Sequence, residues 1–241
     1  MTHRVVRTPS PDDVDKAADI VSSVLSPTSV LDGGCRFDVT LVQHGAGYDE
    51  AEAHALELAR RGARYVSPYN DPDVIAGQGT LGKELDAQCP GPLTVVCTVG
   101  GGGLASGLGL WAATRDDVRV VGVEPEAAPA VAAAVRAGHP VPLDLGETVA
   151  DGITANLEPG SVTIDLVARH VDRLLTVTED EIAEAVRHLV RAHGIVAEGA
   201  GAAAYAAVLA GKVDTGGEDG RVVAVVSGRN IALGTLARLL A

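Results

Sequence analysis

Four consecutive glycines, Gly100-Gly101-Gly102-Gly103, follow a β-branched run and open an apolar segment. Glycines in a row let successive main-chain N–H groups converge on an anion, and a helix that begins there adds partial positive charge. The chemistry this spacing suits is phosphate binding. A tight strand-to-helix turn that holds nothing is the alternative, but four glycines exceed what a turn requires, and each costs entropy in the unfolded chain. One candidate ligand is a dinucleotide: Gly101-x-Gly103-x-x-Ser106 follows a strand, and Glu124 closes the next strand about 20 residues on. That outline ends in Ser rather than Gly or Ala, and no second nucleotide-binding half follows it. No Ser-His-Asp arrangement or His-Glu-x-x-His helix is legible. His188 and His193 are five apart, which places them off a common helical face.

The elements that must position the loop can be read from periodicity. Leu93 to Val99 is the best candidate for a central buried strand, and Leu104 to Thr114 reads as the helix after the loop. Val118–Val123, Leu174–Val177 and Arg221–Val226 read as further strands, with shorter ones at Val39–Val42 and Arg64–Ser67. Helices are expected from Pro11, where Ser10 can cap, from Asp49 to about Gly62, and over 73–88, 127–136, 199–210 and 231–240. Another starts at a capping box, Thr178-x-x-Glu181, with Ile182, Val186, Leu189 and Val190 on its buried face. A Pro-rich loop follows 136, and Asp214 to Gly220 reads as exposed. Strands alternating with helices predict an α/β fold with a doubly wound, mostly parallel sheet.

Composition narrows the function. The chain has 241 residues, 46% of them hydrophobic, a net charge of −13 and only 2% aromatics. That is globular composition, and it lacks the basic field and stacking surface that nucleic acid needs. Cys35, Cys89 and Cys97 are three and widely spaced, so neither a disulfide framework nor a zinc knuckle follows. Cys97 reads as a small buried hydrophobe. The N-terminal stretch has no apolar signal region, and the small-residue run from Gly199 to Gly211 is too short to span a bilayer. The expectation is a cytoplasmic protein with neither nucleic-acid nor membrane partners.

The segment Thr98-Val99-Gly100-Gly101-Gly102-Gly103-Leu104 resembles the phosphate cup of fold-type II pyridoxal-phosphate enzymes, in particular the serine/threonine dehydratases and serine racemases. The likeness extends to Pro68-Tyr69-Asn70-Asp71-Pro72-Asp73-Val74-Ile75-Ala76-Gly77-Gln78-Gly79-Thr80 before the cup. It continues through Val123-Glu124-Pro125, Ala150-Asp151-Gly152-Ile153, Glu198-Gly199-Ala200-Gly201 and Val226-Ser227-Gly228-Arg229-Asn230, in family order over residues 38–240. The resemblance implies a tryptophan synthase beta-like fold and pyridoxal 5'-phosphate as cofactor. Gly100, Gly101, Gly102, Gly103 and Leu104 would hold its phosphate, Gly152 would lie against it as backbone, and Ser227 would hydrogen-bond the ring nitrogen. A hydroxyl there leaves that nitrogen largely unprotonated. Glu124 and Ala128 match positions that help bind a divalent cation in serine racemases, although Ala130 stands where a further acidic ligand falls. The bland alternative for Glu124 is a solvated acid at a strand end.

The family's chemistry also needs a lysine in a Ser-Phe-Lys motif that bonds the cofactor and moves the substrate proton, followed by a Ser-x-Gly-Asn loop. This chain has neither. Its lysines are Lys16, Lys83 and Lys212, and its one phenylalanine, Phe37, is not followed by Lys. None of the three lysines is expected at the cup, Lys83 reading as a surface residue. The expected organisation is an N-terminal helix and turn (1–34), a remnant of the small domain (35–66) and a large cofactor-binding domain (67–241). The implied function is a dehydratase acting on L-serine or L-threonine, giving a 2-oxo acid and ammonia, impaired or inactive alone and holding the cofactor non-covalently. The expected assembly is a homo- or hetero-oligomer. The alternatives are a non-catalytic partner of an intact homologue, an NAD-binding oxidoreductase, and a non-functional deletion product.

Overall fold

The computed structural model describes residues 7–24, 42–214 and 220–241, without the side chains of 19–24. The expected strand at Val39–Val42, apart from Val42 itself, lies outside the described residues, as do Cys35 and Phe37. Helix α1 (Pro11–Val24) starts where its sequence says it should. Ser10 does not cap it by accepting; the Asp13 carboxylate turns back to accept from the Ser10 N–H at 2.8 Å and from its hydroxyl at 2.9 Å. Next come α2 (Tyr48–Arg60) and α3 (Pro72–Gln88), the latter capped by Asp71 accepting from the Asp73 N–H with Pro72 at its first position.

The chain then alternates: β1 (Leu93–Thr98), α4 (Gly103–Ala112), β2 (Val118–Pro125), α5 (Ala130–Ala137), α6 (Thr163–His170), β3 (Arg173–Val177), α7 (Glu179–His193), α8 (Gly199–Leu209), β4 (Arg221–Ala224) and α9 (Leu233–Leu240). The four strands among the described residues are parallel, in the order β3-β2-β1-β4. All six residues of β1 are buried because both its faces are covered. Val95 and Cys97 face one apolar cluster with Leu108 and Trp111 of α4 and Ile164 and Val167 of α6. Val96 faces the other, with Ile182, Val186 and Leu189 of α7 and the alanines of α8. This is the doubly wound arrangement the alternation predicts. Among the described residues no helix is long and apolar enough to cross a membrane.

Close packing of helices depends on missing side chains. A Cβ at Gly79 would stand 2.7 Å from the Gly107 carbonyl, and one at Gly107 would stand 2.5 Å from the Gly79 nitrogen, so α3 and α4 meet backbone to backbone. Nearby, Gly82 makes room for the Trp111 ring, whose Nε1 donates to Asp86 at 3.0 Å. At the start of α7 the reciprocal capping box forms as expected: Glu181 N–H to Thr178 Oγ1, and Thr178 N–H to the Glu181 carboxylate.

Three expectations need correction. Residues 64–67 form no strand; Val66 is largely exposed, and the segment lies outside the sheet. The stretch expected to be loop contains α6, which buries Thr163, Ile164, Leu166 and Val167; its β-branched residues weaken the helical signal, and packing against α4 and α5 outweighs it. The last strand ends at Ala224 and the last helix begins at Leu233, so residues 225–232 are a connection.

Gly107→Ala drives a methyl into main chain and is expected to destabilise by upward of about 3 kcal/mol in urea unfolding. Thr178→Ala removes only a cap and is expected to cost about 1 kcal/mol. Equal effects would show that the α3–α4 approach does not limit stability.

Candidate functional site

The connections from β1 run through α4 to β2 on one side, while β4 returns on the other side after α7 and α8. The strand order therefore reverses between β1 and β4, and in open α/β sheets the crevice at the carboxyl ends of two such strands is where ligands bind. The residues singled out from sequence meet there. Gly100 to Gly102 leave β1, Gly102 takes the left-handed conformation at φ 88° as the N-cap of α4, and Gly103 and Leu104 start the helix. Ser227 follows β4, and its hydroxyl lies 3.2 Å from the Thr98 hydroxyl at the end of β1. Gly152 sits in a 3-10 turn, Asp151–Ile153, whose Ile153 stands 3.1 Å from where a Gly100 Cβ would be.

The loop is enclosed on its outer side by groups that a side chain would displace. A Cβ at Gly101 would collide with the Tyr69 ring, one at Gly102 would stand 3.0 Å from Thr163, and one at Gly103 would stand 2.9 Å from the Tyr69 backbone. Thr163 Oγ1 donates to the Gly101 carbonyl at 2.7 Å, which fixes the peptide orientation. Behind it, the Glu158 N–H donates to the Tyr69 hydroxyl at 2.6 Å. Asn70 accepts from the Val162 N–H at 2.8 Å and donates to the buried Glu158 carboxylate. Tyr65 bridges Glu158 and Glu52, and Tyr48 of α2 also donates to Glu52. Burial raises the pKa values of Tyr48, Tyr65 and Tyr69, which keeps these phenols neutral, and it raises that of Glu52.

Among the described residues, no N–H of Gly100 through Leu104 has a hydrogen-bond acceptor. The Gly101 carbonyl is held by Thr163 and the loop N–H groups are left over, so the loop can receive the oxygens of a phosphate. Gly201 packs its main chain on Gly228, 2.6 Å from its nitrogen to an added Cβ, and the Glu198 N–H donates to the Gly228 carbonyl at 3.1 Å. That contact sets the position of Ser227 next to it.

Glu124 is not an exposed acid. It is fully buried, and its two oxygens accept from the N–H groups of Val131 (2.7 Å) and Ala132 (2.9 Å) in the first turn of α5. Burial pushes its pKa up to about 7, against the opposing pull of those two N–H groups. Ala128 is buried beside it, and Ala130 begins α5. Among the described residues no three His, Cys, Asp or Glu side chains gather as a metal group. His188 and His193 do meet, contrary to their spacing: the rings are 5.5 Å apart, with the Tyr205 hydroxyl 2.9 Å from one and 3.4 Å from the other. His193 is the last residue of α7, and α8 supplies the tyrosine. Cys97 is buried, with its thiol pushed up to about 12.

A family model for pyridoxal-phosphate dependent enzymes matches residues 34–228. The chain belongs to that family. Within it, the chain is 39% identical over 225 residues to an L-threonine ammonia-lyase of Thermotoga maritima, covering 92% of this chain and 55% of that protein. It is 33% identical over 216 residues to the catabolic L-threonine dehydratase of Escherichia coli, covering 89% and 65%. The structure of maize serine racemase superposes with a TM-score of 0.73 at 30% identity, over 82% of this chain and 62% of that one. The chain thus spans between half and two-thirds of the length of these relatives, and its fold is that of the tryptophan synthase beta-like members.

Sequence reading missed Thr98, Tyr69, Asn70, Glu158 and Thr163 as groups that shape the site. The first three lie inside motifs already marked by the resemblance, whereas nothing in the sequence marks Glu158 or Thr163, which reach the loop through tertiary contacts.

The raised pKa of Glu124 has a defined sign. The native state keeps its proton where the unfolded state has lost it, so stability falls as pH rises from the ordinary carboxylate range through about 7. The loss amounts to roughly 3 kcal/mol. Unfolding free energies at about pH 4 and about pH 8 should show it for the parent chain and not for Glu124→Gln.

Proposed function

We propose that this chain is a threonine/serine dehydratase-like protein that binds pyridoxal 5'-phosphate at the β1–β4 crevice. It would do so without a covalent bond and be impaired in turnover by itself. The observation that carries the reading is the convergence of a glycine loop with unpaired N–H groups and a serine hydroxyl at the same switch point. Gly100 through Leu104 would hold the phosphate, the Ser227 hydroxyl would hydrogen-bond the ring nitrogen and the Gly152 main chain would lie against the cofactor. When bound, the cofactor withdraws electrons from the Cα of an amino acid, which in this family leads to loss of water from L-serine or L-threonine.

The proposed impairment rests on the lysines. Lys83 Nζ pairs with Asp15 at 2.6 Å, Lys212 Nζ pairs with Glu181 at 2.6 Å and donates to the Thr176 carbonyl at 2.9 Å, and Lys16 is exposed on α1. Two are committed to partners away from the glycine loop. We also propose the division into a helix and turn (1–34), a small-domain remnant (35–66) and the cofactor domain (67–241). Association with another chain would cover the cofactor, because chemistry of this kind gains from a water-excluding site.

The test is an absorbance spectrum of the protein after addition of pyridoxal phosphate and desalting, with and without borohydride. The expected result is cofactor that inorganic phosphate displaces and desalting removes, no labelled peptide, and no ammonia released from L-threonine. A peptide labelled at Lys16, Lys83 or Lys212 would overturn the non-covalent reading. Failure of the cofactor to compete with phosphate at all would overturn the assignment of the loop.

A further inference from the structure

A second cleft lies beyond the 3-10 turn, between residues 146–154, the first turn of α7 and the C-terminal helix α9. Its volume is about 710 Å³, within the range of roughly 300–1,000 Å³ that small-molecule sites occupy. The turn has two sides. Ile153 faces the glycine loop, whereas Asp151 and Thr154 line the cleft. Glu147, Glu179, Thr235 and Arg238 line it as well.

Glu179 is the informative residue. Its Oε2 accepts from the Val149 N–H at 2.8 Å, but its Oε1 is shielded from solvent and has no hydrogen-bond partner. A carboxylate oxygen in that state calls for a donor. On the opposite wall, Arg238 Nη2 donates to Thr235 Oγ1 at 3.1 Å, which leaves the Thr235 O–H to donate in turn. Arg238 is exposed, and α9 is held to α7 at its far end, where Arg187 and Arg191 donate to the carbonyls of Leu239 (3.0 Å) and Leu240 (3.1 Å).

Three carboxylates and one guanidinium around one space suit a ligand with charges of both signs. A lone anion would meet the repulsion of Glu147, Asp151 and Glu179. A bare metal ion would face Arg238, and these acids do not gather into a three-ligand metal group. We propose that the cleft binds a small α-amino acid, with its ammonium on Glu179 Oε1 and Asp151 and its carboxylate on Arg238 and Thr235. Binding there reaches the glycine loop through covalent neighbours. The same carboxylate that receives the ammonium holds Val149, and Val149 leads through Ala150 into the turn that sets Ile153 against Gly100. Occupancy therefore stiffens the turn. This inference does not depend on cofactor binding at the loop.

The experiment is amide-resolved NMR on the cofactor-free protein titrated with L-serine, L-threonine and L-valine, and with the N-acetyl and carboxamide forms of L-valine. Expected are shifts at residues 146–154 and 235–238 for at least one free amino acid, and none for the two blocked forms. Glu179→Gln and Arg238→Ala should each weaken binding by roughly tenfold or more. Arg238 is exposed, so its variant tests the site without disturbing a buried group. Hydrogen exchange of the amides of Ala150 to Ile153 should slow on binding in the parent chain and not in Arg238→Ala. Absence of shifts at millimolar amino acid would overturn the site. Shifts confined to residues 100–104 and retained in both variants would also overturn it by placing the amino acid at the glycine loop, and equal binding of the N-acetyl form would overturn the charge pairing. Binding with unchanged exchange would overturn the coupling to the turn.

Discussion

Main chain lies directly against main chain at several places around the crevice, and three of those approaches set the geometry of the rest. Gly79 and Gly107 bring α3 and α4 together, Gly199 lies on Val149 and Ala150, and Gly201 lies on Gly228. The first fixes the helix whose amino end carries the glycine loop. The second fixes the segment entering the Asp151–Ile153 turn, and the third fixes the residue beside Ser227. A single methyl at any of them would have to move backbone rather than a side-chain tip, so the crevice is set by parts of the structure with little freedom to relax. The core that surrounds them is aliphatic. With aromatics at 2% of the chain, tight contact among alanines and valines replaces large rings as the source of buried surface.

The polar support of the loop follows a different principle. Tyr69, Asn70, Thr163 and Glu158 hold the outward-facing carbonyl and the flanking backbone in fixed hydrogen bonds. The side-chain donors of Asn70 and Thr163 each find an acceptor, and what remains unpaired among the described residues is the set of loop N–H groups. The network continues through Tyr65 and Glu52 to α2, a helix with no buried residue of its own. Polar contacts rather than apolar burial therefore hold α2 near the site.

Much of this architecture is legible in the amino-acid order, and the exceptions are instructive. The buried run Leu93–Thr98, the four glycines and the Thr178–Glu181 capping box are local signals whose meaning does not depend on distant partners. They reappear almost residue for residue. By contrast α6 is helical because α4 and α5 offer it a surface, while Arg64–Ser67 has strand-forming residues and, among the described residues, no strand beside it in the sheet. Glu124 could be read as an exposed acid or a ligand because the sequence does not show that α5 would present two N–H groups to it. His188 and His193 fail the spacing rule for the same kind of reason, since Tyr205 arrives from another helix. The loop's glycines could be found from sequence, but its walls could not.

The single tryptophan gives this geometry an optical consequence. Trp111 is 1% exposed, its ring fills the space left by Gly82 and its indole N–H is held by Asp86. It sits on α4, the helix that carries the glycine loop. Tryptophan fluorescence from this chain therefore originates from one indole in one environment, at the α3–α4 contact. Any event that loosens that contact will change the emission, without the averaging over many fluorophores that complicates such signals in most proteins of this size.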